Sequence, residues 1–165
     1  MKKALILVDV QKGFINKQSA WLPTKLANYI KKSDYADVIA TCYINNSNTA
    51  CYKYLGWMCC WYEDEYAICS ELDGLYNRVF DKQTYTSVTP ELLEYLVENN
   101  FSEIHICGIS ETCCVVATAY DLFDRGFNIK VIPALSAVTG EKEGYKEMAD
   151  FMLLENVPCL EIEEA

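Results

Sequence analysis

The sequence predicts an α/β fold: a single-domain, three-layer, Rossmann-like arrangement with a mostly parallel sheet and helices on both faces. Short apolar runs typical of buried strands alternate with helix-like stretches, and no repeat, low-complexity segment or linker interrupts this alternation. Strand–helix alternation implies parallel strands joined by right-handed crossovers. The 165 residues fit one domain, which we expect to span residues 1–165.

The individual elements follow from local patterns. Apolar or β-rich runs predict five strands and a possible sixth, at residues 4–9, 37–43, 78–81, 103–107, 128–132 and 158–162. Helical patterns occupy residues 23–32, 89–100, 114–125 and 143–154. The first strand, ALILVD, is apolar without alternation, as expected for a strand buried on both faces. Thr89 and Pro90 form a helix start, and Gly126 is a helix stop.

Composition and charge exclude several classes of partner. The formal net charge is −10 and the chain has no basic run, so a nucleic acid, whose phosphates would be repelled, is not expected as a partner. The N-terminal apolar run ends at Asp9 and is too short for a signal peptide or a membrane span. No other stretch of the sequence is apolar enough to cross a bilayer. We therefore expect a cytoplasmic protein with no membrane partner.

Cysteine and glycine patterns bear on cofactors. The nine cysteines are an odd number without a secretion signal, which predicts reduced thiols rather than a disulfide framework. No CxxC pair occurs and His105 is the only histidine, so we expect no metal site. The sequence has neither GxGxxG nor GxxxxGK[ST], and a nucleotide cofactor is therefore not indicated. We expect the protein to work without a cofactor.

Side chains able to do chemistry lie at predicted strand ends. In open α/β sheets, ligands bind beyond the carboxyl ends of the strands. Asp9 ends the first strand, Lys82 follows the third, and the turn after Gly108 carries Ser110 and Cys114. A carboxylate, an ammonium and a thiol from three distant segments should therefore meet at one edge of the sheet.

Of the two adjacent thiols, Cys114 is better placed than Cys113 because it opens the helical pattern. A helix N-terminus and a nearby lysine both lower a thiol pKa, so Cys114 is expected to ionise readily. Asp9 is the expected proton acceptor, since His105 lies about 10 Å back from the edge at ~3.3 Å per strand residue. Two alternatives stay open: both thiols are buried turn residues, or Asp9 and Lys82 form a purely structural ion pair.

Three motifs together resemble the signatures of the isochorismatase-like cysteine hydrolases. They are DVQKGF at 9–14, DKQTYTS at 81–87 and GISETCCVVATAYDLFDRGF at 108–127. This superfamily includes nicotinamidases, isochorismatases, and N-carbamoylsarcosine and ureidoacrylate amidohydrolases. The resemblance extends from the first strand to about residue 140 and implies the same α/β fold.

The resemblance also implies roles for particular residues. The family triad of aspartate, lysine and cysteine falls on Asp9, Lys82 and Cys114. The family's non-proline cis peptide falls on Ile109–Ser110. The backbone amides of Ser110 and Cys114 would form an oxyanion hole. Members are often oligomeric, which implies a homo-oligomer.

The implied reaction is cleavage of a C–N bond in an amide or ureido group of a small molecule, through a thioester on the cysteine. One alternative is isochorismatase-type vinyl-ether hydrolysis, which needs no cysteine nucleophile; another is a non-catalytic small-molecule-binding module. A thiol redox sensor at Cys113–Cys114 ranks last, because adjacent cysteines rarely form an unstrained disulfide. Nicotinamidases bind a divalent metal after the second strand through an aspartate and two histidines, and residues 41–65 contain no histidine. This argues against nicotinamidase activity.

Residues 43–66 are crowded with tyrosine and tryptophan. They are expected to form either a lid or aromatic wall around a small planar substrate, or a helix packed on the core or a subunit interface. Candidate substrate-binding residues are Gln11, Phe14, Asn45, Trp57 and Tyr85.

Overall fold

The computed structural model describes residues 1–162 and contains one five-stranded, fully parallel sheet. The strands are β1 (Lys3–Val8), β2 (Asp37–Tyr43), β3 (Arg78–Lys82), β4 (Glu103–Ile109) and β5 (Ile129–Ala137), and their order across the sheet is β3-β2-β1-β4-β5. The helices are α1 (Leu22–Lys31), α2 (Ala50–Leu55), α3 (Glu63–Tyr66), α4 (Pro90–Asn99), α5 (Val116–Asp124) and α6 (Tyr145–Asn156). The last three residues of the predicted 1–165 domain lie outside the described residues.

Two apolar clusters sandwich the sheet and confirm the predicted three-layer fold with helices on both faces. On one face, Ile6 and Ile106 of the central strands pack with Leu92 of α4, Leu122 of α5 and Leu153 of α6. On the other face, the alternate strand residues pack against α1 and a 3₁₀ turn at Ser70–Leu72. Because successive strand residues point to opposite faces, β1 buries side chains in both clusters, which explains its continuous apolar run.

The helix after β4 begins differently from the prediction. The sequence predicts a helix from Cys114, but Glu111–Val115 form a π-helical turn in which the Val115 amide donates to the Ser110 carbonyl at 3.1 Å. The regular helix α5 starts only at Val116. Such π turns are frequent at functional sites and shift the direction of the side chains that they carry.

The predicted sixth strand at 158–162 is wrong. This segment forms one isolated parallel bridge to β5, in which Val131 donates to the Pro158 carbonyl and accepts from the Leu160 amide. Extension of the ladder in either direction would need the amide hydrogen of Pro133 or of Pro158, and proline has none. β5 itself runs five residues past its predicted end, passing Pro133 through an irregularity in its pairing with β4.

Among residues 1–162, no helix combines the length and the apolar character that a bilayer crossing needs.

Gly108 lies directly against the backbone of β1. Its φ is +134°, and a Cβ at this position would lie 2.1 Å from the carbonyl oxygen of Val8 on β1. Any side chain here would force β1 and β4 apart directly before the turn that carries Ser110 and Cys114.

We expect Gly108→Ala to reduce the free energy of unfolding by at least about 3 kcal/mol, because backbone strain and a clash with backbone combine. Gly126→Ala is the matched control: φ there is +83°, but the added Cβ would meet open space, so only about 1–2 kcal/mol of strain is expected. Urea denaturation of both variants measures the difference. Equal losses would contradict the close approach of Gly108 to Val8.

Candidate active site

A buried ion pair lies at the carboxyl edge of the sheet. Asp9 follows β1 and Lys82 ends β3, and the Lys82 Nζ lies 2.8 Å from Asp9 Oδ2. Both side chains are almost completely buried, at 0% and 1% exposure. Lys82 also donates to the carbonyls of Thr84 and Tyr85, at 2.8 Å each. Two of the three N–H groups of the Lys82 ammonium thus donate to backbone carbonyls, while its charge is paired with Asp9.

A chain of buried hydrogen bonds connects Asp9 to the cysteine turn. The Thr41 hydroxyl on β2 donates to Asp9 Oδ1 at 2.8 Å and lies 3.2 Å from the Ser87 hydroxyl. The Ser87 amide donates to the Thr118 hydroxyl at 2.9 Å, and that hydroxyl donates to the Cys114 carbonyl at 2.7 Å. Thr41, Ser87 and Thr118 were not predicted from the sequence. The sequence contained only weak signals for them. Thr41 and Thr118 are polar residues within an apolar strand and an apolar helix, and Ser87 is the last residue of the DKQTYTS motif.

The structure brings Cys114 beside this pair. The thiol is buried, at 6% exposure, and lies close enough for the charges of both Asp9 and Lys82 to act on it. The preceding peptide Ile109–Ser110 is cis, at the position that the resemblance implied. Cys113, by contrast, is exposed at the rim of the adjoining cavity.

The expected direction of the Cys114 pKa is wrong. Burial raises the pKa of the thiol above its ordinary value, the negative charge of Asp9 raises it further, and the positive charge of Lys82 only partly offsets these effects. Desolvation disfavours the thiolate more than a helix N-terminus and a lysine already paired with Asp9 can favour it. At neutral pH, Cys114 is therefore a neutral thiol.

A cavity of about 460 Å³ opens above Cys114. Phe14, Trp57 and Tyr85, three of the five candidate substrate-binding residues, line it, as does Ser110. Phe14 and Trp57 stack with centroids 5.6 Å apart and planes within 13°. The cavity is of a size suited to a small molecule, and its lining is largely apolar with a few polar groups.

The other two candidates have a structural role instead. Gln11 is fully buried, and its side-chain amide donates to the carbonyls of Tyr43 and Tyr66 and accepts from the Tyr43 amide. Asn45 is buried as well and donates to the carbonyls of Trp57 and Cys59. Neither lines the cavity. Their polar groups satisfy the backbone of residues 43–66, where regular strand or helix bonding is interrupted.

Residues 43–66 form one wall of the cavity. The helices α2 and α3 lie within this segment, and Tyr43, Cys51, Leu55 and Trp57 face the cavity. Tyr54 and Tyr62 are instead exposed. The aromatic crowding seen in the sequence thus divides between the cavity wall and the protein surface.

Residues 3–158 match the Isochorismatase domain family, which is nearly the whole chain. The chain belongs to the isochorismatase family of hydrolases. Over 67 residues it is 36% identical to Isochorismatase family protein 2A of Dictyostelium discoideum, a match that covers 39% of this chain and 34% of that protein. The matched region thus spans about a third of that relative's length.

Solved structures confirm the fold of this isochorismatase-family chain. Nicotinamidase from Bacillus subtilis superposes with a TM-score of 0.78 at 22% identity, covering 98% of this chain and 100% of that one. N-carbamoylsarcosine amidase from Thermoplasma acidophilum also gives 0.78, at 20% identity, with 99% and 100% covered.

Among the residues that the structure describes, the donor set that a metal would need is not present near the cavity. His105 lies within β4, where its Nε2 is 2.7 Å from Glu103 and its Nδ1 contacts the Tyr35 hydroxyl, consistent with the position inside the fourth strand that the sequence predicts. Within residues 1–162, no cluster of three histidine, cysteine or acidic side chains is arranged to hold a metal ion. The metal of nicotinamidases does not fit this site.

A second buried carboxylate holds the π turn of this isochorismatase-family site in place. Glu111 is fully buried, and the Lys146 Nζ on α6 lies 2.8 Å from its Oε2. Lys146 also donates to the Pro133 carbonyl at 3.1 Å and pairs with Asp150. Burial raises the pKa of Glu111 to about 8, Lys146 lowers it in part, and Asp150 raises it.

This pKa predicts a stability that falls with rising pH. Between about pH 4.5 and 8 the folded protein keeps the Glu111 proton while the unfolded chain releases it. The contribution of Glu111 to the free energy of unfolding is therefore fully present below this window. It is lost as pH rises through the window, by up to about 1.4 kcal/mol per pH unit.

Glu111→Gln should gain stability relative to wild type as pH increases from 5 to 8. Urea denaturation across this range measures the trend, and Glu98→Gln, at an exposed glutamate, should track wild type. A parallel course for both variants would contradict the raised pKa.

Proposed function

We propose that this protein hydrolyses a C–N bond, in an amide or ureido group of a small molecule, through a thioester on Cys114. The observation that carries the proposal is the fully buried Asp9–Lys82 pair beside a thiol at the wall of a 460 Å³ cavity. A carboxylate placed next to a neutral thiol can accept its proton. The small molecule would be the only partner that the reaction needs besides water.

In the first step, Asp9 accepts the thiol proton as the Cys114 sulfur attacks the substrate carbonyl. A C–S bond forms, and the π electrons of the carbonyl move onto its oxygen. The backbone amides of Ser110 and Cys114 would donate to this oxyanion, a role supported by the position of both residues in the cavity lining.

In the second step, the tetrahedral intermediate collapses. The C–N bond breaks, and Asp9 returns the proton to the leaving nitrogen, which departs as an amine or ammonia. Asp9, again a carboxylate, then takes a proton from a water molecule as the water oxygen attacks the thioester carbonyl. The C–S bond breaks, the acid product leaves, and the proton returns to the Cys114 sulfur.

The raised pKa of Cys114 fits this sequence of steps. A neutral thiol cannot attack until its proton moves, so ionisation is coupled to substrate binding rather than completed in advance. The positive charge of Lys82 lowers the energy of either anion, whether Asp9 or the sulfur carries the charge.

One observation favours a second reaction. A thiol whose pKa is raised by burial is a weak nucleophile at rest, and vinyl-ether hydrolysis of the isochorismatase type would use Asp9 as the acid without Cys114. A Cys114→Ala protein separates the two reactions because only amide hydrolysis requires the sulfur.

We expect Cys114→Ala, Asp9→Asn and Lys82→Met each to lower kcat/KM for a hydrolysed amide or ureide by at least about 10³-fold, since members of a triad act as a unit. Released ammonia or amine from a panel of small amides and ureides measures the rate. Cys159→Ala removes a thiol that does not line the cavity and should leave the rate unchanged. Activity retained in Cys114→Ala would contradict the thioester and support vinyl-ether chemistry. No turnover of any compound by wild type would support a binding module instead.

A further inference from the structure

The Thr41 hydroxyl on β2 holds Asp9 at two points. It donates to Asp9 Oδ1 at 2.8 Å, and its oxygen accepts from the Asp9 backbone amide at 3.2 Å. Thr41 is 1% exposed and does not line the cavity, so its contacts are with the protein alone. One buried hydroxyl therefore restrains both the backbone and the side chain of the residue that would accept the thiol proton.

The backbone of Asp9 has a conformation that needs such a restraint. Its φ is +48°, in the left-handed region, which residues other than glycine rarely adopt, although aspartate is among those that tolerate it. Conformations of this kind persist only where the surrounding structure determines them, and they are concentrated at functional sites. Here the residue directly after β1 turns so that its carboxylate lies against the Lys82 ammonium.

Both oxygens of the Asp9 carboxylate have a fixed neighbour. Thr41 donates to Oδ1, and the Lys82 Nζ lies 2.8 Å from Oδ2. The torsion of a carboxylate about its bond to Cβ is otherwise broad, so contacts at both oxygens are needed to fix its orientation. Each carboxylate oxygen has two lone pairs, and one on each is left to accept a proton from Cys114. The protein itself thus sets the orientation of the proton acceptor.

Ser87 determines where the Thr41 proton points. The Ser87 hydroxyl is buried and lies 3.2 Å from the Thr41 oxygen. A hydroxyl has one proton, and that of Thr41 is donated to Asp9, so the hydrogen bond between the two hydroxyls runs from Ser87 to Thr41. The Ser87 backbone amide separately donates to Thr118, whose hydroxyl donates to the Cys114 carbonyl. The side chain of Ser87 therefore acts on Asp9, and its backbone acts on the turn that carries the thiol.

We propose that Thr41 is a positioning residue of this site. It holds the Asp9 carboxylate in the orientation from which that group accepts the Cys114 proton, and Ser87 fixes the direction of the Thr41 hydroxyl. The inference rests on the proposed function, because Asp9 is the proton acceptor of that reaction. Loss of the hydroxyl should lower kcat and leave KM unchanged, since a misplaced base slows the chemical step without altering the contacts that bind substrate.

The variant Thr41→Val removes the hydroxyl and keeps the branched shape. We expect kcat to fall about 10- to 100-fold, with KM within about twofold of wild type, for the amide or ureide of the panel that wild type hydrolyses fastest. Thr41→Ser keeps the hydroxyl and should restore kcat to within about threefold of wild type. Equal losses of kcat in both variants, or a rise in KM alone, would indicate a packing role and overturn the proposal.

Tyr95→Phe is the matched control for stability. The Tyr95 hydroxyl donates to Asp37, which begins the same strand, β2, at the opposite edge of the sheet. Tyr95→Phe and Thr41→Val each remove a hydroxyl that donates to an aspartate, so both should lower the urea midpoint. Only Thr41→Val should lower kcat, measured where each variant is fully folded. A matching loss of kcat in Tyr95→Phe would mean that kcat follows stability rather than the orientation of Asp9, and would overturn the proposal.

A double-mutant cycle tests the part assigned to Ser87. Ser87→Ala removes the hydroxyl but keeps the backbone amide that donates to Thr118. We expect it to lower kcat about 3- to 10-fold in the wild-type background and by less than about twofold in the Thr41→Val background, because its effect passes through Thr41. Losses that multiply independently would contradict this part of the proposal.

Alkylation of Cys114 by iodoacetamide, followed by peptide mass spectrometry, gives a readout that needs no substrate. We expect Thr41→Val to slow alkylation at pH 7 at least about fivefold in the wild-type background and by less than about twofold in the Asp9→Asn background, since Thr41 acts through the carboxylate. An alkylation rate that does not depend on Thr41, including no labelling in any variant, would overturn the role of Thr41.

The two readouts separate this inference from the proposed function. If wild type hydrolyses no amide or ureide, or if Cys114→Ala keeps its activity, the thioester reaction fails, and the alkylation cycle still decides whether Thr41 positions Asp9 beside the thiol. If amide hydrolysis requires Cys114 while Thr41→Val keeps the wild-type kcat, the reaction stands and the positioning role fails.

Discussion

The buried ion pair between Asp9 and Lys82 is the interaction on which the rest of this structure depends. Asp9 follows β1 and Lys82 ends β3, and these two strands are not neighbours, since β2 lies between them. A buried pair is tolerated only when its remaining donors and acceptors are satisfied. Here Thr41 on the intervening strand donates a hydrogen bond to Asp9, while two backbone carbonyls after β3 accept hydrogen bonds from the Lys82 ammonium. The parallel order and register of three strands are thus tied to a single charged contact.

The cavity wall depends on a different use of polar groups. Residues 43–66 leave the sheet edge as two short helices joined by irregular backbone, which must find hydrogen-bond partners away from any ladder. Gln11 and Asn45 provide them from fully buried positions. With the backbone held in this way, Trp57 is fixed against Phe14. The aromatic wall is therefore positioned by amides that do not face the cavity themselves.

The features that could be predicted from the amino-acid sequence follow from short-range rules. Apolar runs marked the five strands, and because parallel strands share one carboxyl edge, the meeting of Asp9, Lys82 and Cys114 could be expected from the order of the residues alone. The failures needed tertiary information. Pro133 and Pro158 prevent a sixth strand only because of how β5 and the segment at 158–162 are aligned. Each proline lies where the facing segment would need a backbone N–H as hydrogen-bond donor. Likewise, the pKa of Cys114 depends on burial, which the helix-start pattern does not report.

The balance of charges at the site explains why a neutral Cys114 thiol, with a raised pKa, is compatible with the proposed reaction. A neutral thiol adjoins a carboxylate and an ammonium, so these three groups together carry no net charge. In the proposed first step a proton would move from sulfur to Asp9, and the total charge would not change. Only the position of the negative charge relative to Lys82 would shift. A preformed thiolate would instead place a second anion beside Asp9 in a dry environment, at a large desolvation cost. Burial therefore favours coupling proton transfer to attack.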